Sequence, residues 1–130
     1  MSELPPLTPI PADCDARAVL THVTNKWGTL AMLALRGGPR RWNELLRGID
    51  GVSEKMLAQN LKALVEDGFV IREQRPSMPP HVVYSLTPEG LEVAHLLAAL
   101  AERVAAHVGE SLPWELEGLL DPTVKMAQTS

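Results

Sequence analysis

Two periods organise the apolar positions of this chain, about 3.6 residues over most of its length and 2 over one short stretch. Asp13 stands where an N-cap would, and Val19, Leu20 and Val23 line one face of a helix expected to end near His22. Trp27 opens a second, strongly apolar helix through Leu30, Met32, Leu33, Ala34 and Leu35, stopped by Gly37, Gly38 and Pro39. Trp42, Leu45, Leu46 and Ile49 carry helical spacing in a short third helix, and Gly48 and Gly51 bracket the turn after it. Ser53 is placed to cap a fourth helix. Leu57, Leu61, Leu64 and Val65 then form one inward stripe, and Gly68 supplies the left-handed residue that ends it.

The period then drops. Phe69, Val70 and Ile71 begin a strand that turns polar at Arg72–Arg75, and Val82, Tyr84 and Leu86 alternate with Val83 and Ser85 in its return partner. Pro76-Ser77-Met78-Pro79-Pro80 between them cannot be helical, so this is a hairpin. Thr87 caps a last long helix with Pro88 at its first position, rich in Ala and Leu and running to about Val108. Leu112 to Leu120 adds a small amphipathic turn. Three spans follow: a flexible N-terminal arm over 1–12, with four prolines and no periodicity, a folded domain over 13–108, and a C-terminal extension and tail over 109–130.

The expected fold is mainly α with a small β-hairpin. Helix, helix, short helix, glycine turn, helix, hairpin, long helix is the layout of a winged helix-turn-helix. The last helix carries apolar residues at Leu91, Leu96, Leu97, Leu100 and Val104. Too little chain remains to cover so long a stripe, so the N- and C-terminal helices are expected to join two copies in a homodimer.

Length and composition narrow the class. A chain of 130 residues holds one core, and 45% apolar residues can build it. No stretch reaches the roughly 18 apolar residues of a membrane span. The first residues lack the basic start and apolar run of a signal peptide, so no membrane association and a cytoplasmic location are expected. One cysteine excludes an intramolecular disulfide framework. The formal net charge of −4 argues against a polyanionic partner, but its distribution argues for one. Residues 26–62 hold seven basic and three acidic side chains, a local balance of +4 in a chain whose remainder is −8.

That basic middle coincides with the fourth helix. Around its apolar stripe, Ser53, Lys55, Met56, Gln59, Asn60 and Lys62 remain to face a major groove, where amides pair with adenine and lysines reach guanine or phosphate. Arg40 and Arg41 before the third helix, and Arg72 and Arg75 on the hairpin, are expected on backbone phosphates. The expected partner is double-stranded DNA. A two-fold dimer would hold its two reading helices about 34–36 Å apart, which requires a pseudo-palindromic operator.

Four segments make the chain resemble a known family: Asn25-Lys26-Trp27, Arg40-Arg41-Trp42-Asn43-Glu44-Leu45, residues 51–72 and residues 79–90. In order and spacing they are similar to the HxlR-type winged-helix regulators of bacteria, over roughly residues 14 to 108. The resemblance implies a homodimeric transcription regulator, read here as a repressor. The chain departs from the family pattern at Thr24-Asn25, where a glycine pair is common, at Trp42 for phenylalanine, at Asn60 for arginine, at Val83 for an acidic residue and at Arg103 for tryptophan.

Cys14 opens the first helix, where the positive helix end and Arg17 favour a thiolate while Asp13 and Asp15 oppose it. The resemblance implies more. Many members carry a cysteine at this place, and in some it responds to oxidants or electrophiles, which makes Cys14 a candidate regulatory site. The competing reading is a buried structural thiol. No cofactor, metal or catalytic residue is expected, because no phosphate loop or paired-cysteine motif is present and His22 lies about 12 Å along the axis from Cys14. The chain is therefore not expected to be an enzyme. Two other functions stay open: a winged-helix module for protein partners, and a regulator gated by a noncovalent small ligand near Trp27 and Trp42.

Overall fold

The computed structural model describes residues 10–120, with side chains described through Leu116. The elements are α1 (Asp15–Thr24), α2 (Lys26–Arg36), β1 (Arg40–Arg41), α3 (Trp42–Gly48), α4 (Glu54–Glu66), β2 (Val70–Arg75), β3 (His81–Leu86), α5 (Pro88–His107) and α6 (Pro113–Leu120). The fold is mainly helical, with the hairpin where the alternation places it. One element is additional: β1 pairs antiparallel with β3, so the sheet has three strands in the order β1-β3-β2. Two residues are too few to display a period of two, and β1 left no signal in the sequence pattern.

Capping explains several boundaries. α1 is capped by Cys14, not by Asp13. A turn closed by the bond from Cys14 N–H to the Pro11 carbonyl, 3.1 Å, takes up Asp13 and sets the first helical bond back to Arg17 N–H on the Cys14 carbonyl. α2 starts one residue before Trp27. The Asn25 side-chain oxygen accepts from Trp27 N–H and Gly28 N–H at 3.1 and 3.0 Å, satisfying two orphan donors of the first turn. Thr87 caps α5 as expected, accepting from Gly90 N–H at 3.0 Å, and its hydroxyl donates to the Gly68 carbonyl at 2.7 Å.

The described residues divide at Ala94 into two compact units. In the first, α2 is central and packs against α1, α3, α4 and β3. Ala31, Met32 and Leu35 of α2 are buried with Leu45, Leu57, Leu61, Leu64, Val70 and Tyr84. Two glycines permit this packing. A Cβ on Gly28 would lie 2.0 Å from the His22 carbonyl oxygen, and one on Gly90 would lie 2.0 Å from that of Phe69. His22 Nδ1 meets Asp67 Oδ2 at 2.6 Å, tying the last turn of α1 to the C-cap of α4.

In the second unit, beginning at His95, the segment from Leu112 is a helix rather than a single turn. Glu115 Oε1 accepts from Leu112 N–H at 2.7 Å to cap it, and Trp114 Nε1 donates to Glu102 on α5 at 2.6 Å. The apolar stripe expected on α5 is divided. Leu97 is buried, whereas Leu96, Leu100 and Val104 are 71%, 60% and 56% exposed and, at i, i+4 and i+8, form one bare ridge. Among the described residues no helix is long and apolar enough to cross a membrane.

Candidate nucleic-acid interface

α4 is held as a rigid rod. Ser53 Oγ accepts from Met56 N–H at 3.1 Å, Glu54 sits favourably in the first turn, and Gly68 at φ +87° ends the run. Leu57, Leu61 and Leu64 are fully inside, each burial contributing about 1.5–3 kcal/mol. Lys55, Gln59 and Lys62 are exposed together on the opposite face, with Glu66 following them. Met56 is exposed on the flank. Asn60 differs. It is half-buried, and its Nδ2 donates to the Met56 carbonyl at 2.8 Å, so one amide hydrogen is already committed within the helix. Ser53 uses its oxygen as the cap, and its hydroxyl hydrogen takes no part in that bond.

The sheet distributes the arginines. Arg40 and Arg72 both register with Tyr84, one from each side, so they share a face of the sheet about 10 Å apart. Arg41 registers with Val83, opposite Glu73, and so belongs to the other face. Arg40 and Arg41, adjacent in sequence and both exposed, thus diverge. Arg72 also lines a groove of about 480 Å³ with Lys62, Glu66 and Tyr84, which brings a hairpin cation beside the face of α4. Arg75 is paired with Glu73 at 3.0 Å, both exposed. Its charge is partly neutralised, and its share of any phosphate attraction is reduced.

The wing base brings together groups that the sequence named only separately. A second depression, about 530 Å³, runs from Arg41, Trp42 and Asn43 to the loop 77–80 and His81. Trp42, which lines it, also lies 6.5 Å from the Tyr84 ring, so α3 and the hairpin meet there. The third strand is what ties Arg41 to the hairpin, and two residues could not announce it in the sequence pattern. Cys14 lies apart from these groups, half-buried at the start of α1 with a free thiol. His22, the imidazole on the same helix, is taken by Asp67.

Four findings from known proteins match this arrangement. A family model described as HxlR-like helix-turn-helix matches residues 22–111. YtfH of Escherichia coli (strain K12), an HTH-type transcriptional regulator, is 52% identical over 99 residues, 76% of this chain and 79% of its own. Among solved structures, the transcriptional regulator ytfH from Salmonella typhimurium is 45% identical at a TM-score of 0.66, over 91% of this chain and 94% of that one. Diamide-treated YodB from Bacillus subtilis is similar at 26% identity and a TM-score of 0.61, over 78% of this chain and all of that one (100%).

Proposed function

The chain belongs to the HxlR-like helix-turn-helix family of transcriptional regulators, and from that premise we propose that it acts as a cytoplasmic homodimer that represses transcription from a pseudo-palindromic operator. The observation that carries this is the outward face of α4, where Lys55, Gln59 and Lys62 stand exposed on a rod anchored by three buried leucines, with Arg72 beside them. Amides on that face read base edges, and the lysines and Arg40, Arg41 and Arg72 neutralise phosphates. The bare ridge of Leu96, Leu100 and Val104 is the seam between the two copies. We take the chain to be non-enzymatic: His22, on the same helix as Cys14, stands eight residues on, about 12 Å along the axis and out of reach of the thiol.

Cys14 is the regulatory thiol of this reading. YodB, which has been solved in reduced and diamide-treated forms, supports it. With one cysteine per chain, oxidation couples Cys14 either to a small thiol or to Cys14 of a second copy. The two thiols lose two protons and two electrons to the oxidant as the S–S bond forms. A shift of α1 then changes the spacing of the two α4 helices, which must meet both half-sites at once.

Fluorescence anisotropy of the reduced protein on the DNA upstream of its own gene, with random DNA as control, tests both parts. Tight, salt-steep and selective binding is expected, with release after alkylation of Cys14 and no release for Cys14→Ser. Weak binding that is equal on both DNAs would turn the reading toward a module for protein partners.

A further inference from the structure

The wing tip has an unusual distribution of charge. Five residues, Pro76 to Pro80, follow the last ladder pair, Arg75 with His81, and none of the five is charged. Its central residue, Met78, is 98% exposed. The cations stand back at the base, as Arg41 and as Arg75, whose charge Glu73 partly neutralises, with His81 beside them. A tip that only rested on the sugar–phosphate backbone would gain from charge at its apex. An apolar apex with cations set behind it suits a different contact, in which the base takes the phosphates and the apex enters the groove.

We propose that the wing enters the minor groove and that Met78 inserts between neighbouring base pairs as a wedge, kinking the duplex. This rests on the reading that α4 binds the adjacent major groove. The loop is built to deliver the side chain. Pro76, Pro79 and Pro80 fix three of its five φ angles. The Ser77 hydroxyl donates to the Pro79 carbonyl, so the 2.8 Å contact between Ser77 Oγ and His81 Nδ1 is made by the imidazole N–H. Such a tip loses little freedom on insertion. Its reach also fits. Met78 lies three residues from either end of the ladder and can extend at most roughly 10 Å beyond it, against a minor groove about 7.5 Å deep. Methionine is among the side chains that unstack base steps from this groove, and the bend is directed toward the major groove. Pyrimidine–purine steps unstack most easily, so the wedge selects them at the operator flanks without reading a base edge.

The test uses duplexes that the reduced full-length protein selects from a random pool, labelled with donor and acceptor dyes at the ends and with 2-aminopurine at the flanking step. The wild type is expected to raise energy transfer and 2-aminopurine emission together. Met78→Ser should bind roughly ten times more weakly, lose both signals and no longer enrich TA or CA/TG steps in the selected flanks. Met78→Leu should retain them. Circular dichroism of the variants is expected to be unchanged, since Met78 is exposed. Wild-type binding without a bend, or a bend that survives in Met78→Ser, would overturn the wedge and leave DNA binding by α4 standing. Failure of the wild type to select any DNA would overturn both.

Discussion

Gly90 illustrates how much a single absent methyl group decides. It sits in the first turn of α5 against the Phe69 backbone, where a Cβ would come 2.0 Å from a carbonyl oxygen. Backbone cannot swing aside as the end of a side chain can. Gly90→Ala is therefore expected to lower stability by about 2 kcal/mol or more, read from the urea midpoint at unchanged m-value. Gly48, the last residue of α3, has nothing within 4 Å of the corresponding position. Gly48→Ala should be neutral or stabilise by up to about 1 kcal/mol, and equal losses for both variants would refute the steric account. The glycine of the Thr87–Gly90 segment was visible in the sequence. Its reason was not, because the obstructing atom belongs to a residue far away along the chain.

At the scale of elements, the function proposed above divides the work on DNA between α4 and the sheet. Lys62 is an exposed cation beside the Arg72 groove, and Gln59 is an exposed amide on the same helix face. Lys62→Ala should weaken binding to cognate and random DNA alike and reduce the salt slope by about 0.9. Gln59→Ala should leave that slope unchanged and relax the preference at one base pair of each half-site, a change of about 1–3 kcal/mol in discrimination. Competition anisotropy across a salt series separates the two, and identical behaviour of both variants would refute the division. The stripe of Leu57, Leu61 and Leu64, with the Ser53 cap, made α4 legible from its residues. β1 was not legible, and with it went the knowledge that Arg40 and Arg41 serve opposite sheet faces.

For the molecule as a whole, the decisive surface is the ridge on α5. A leucine left in water forgoes about 1.5–3 kcal/mol that its burial would contribute, and Leu96 and Leu100 are both mostly exposed. Leu100→Lys is expected to convert the proposed dimer to a monomer in sedimentation velocity and to abolish selective operator binding, since one α4 alone meets only one half-site. A variant that stays dimeric would move the seam elsewhere. The sequence placed an apolar stripe here and named its members. It could not tell that Leu97 lies on the buried side, since one period of 3.6 serves both faces of a helix that is apolar over so wide an arc.

What the residues determined by themselves is local or periodic: the helices, their Ser53 and Thr87 caps, the Gly68 stop, the alternating hairpin and the basic middle of an acidic chain. Each of these follows from interactions within a few positions, so a single stretch of chain carries the information. Tertiary structure alone decided what depends on residues meeting from far apart. It assigned His22 to Asp67 and drew β1 onto β3. It also turned Asn60 partly into the helix and left Met78 as the bare apex of the wing. These outcomes are settled by packing and register, which no window along the chain contains.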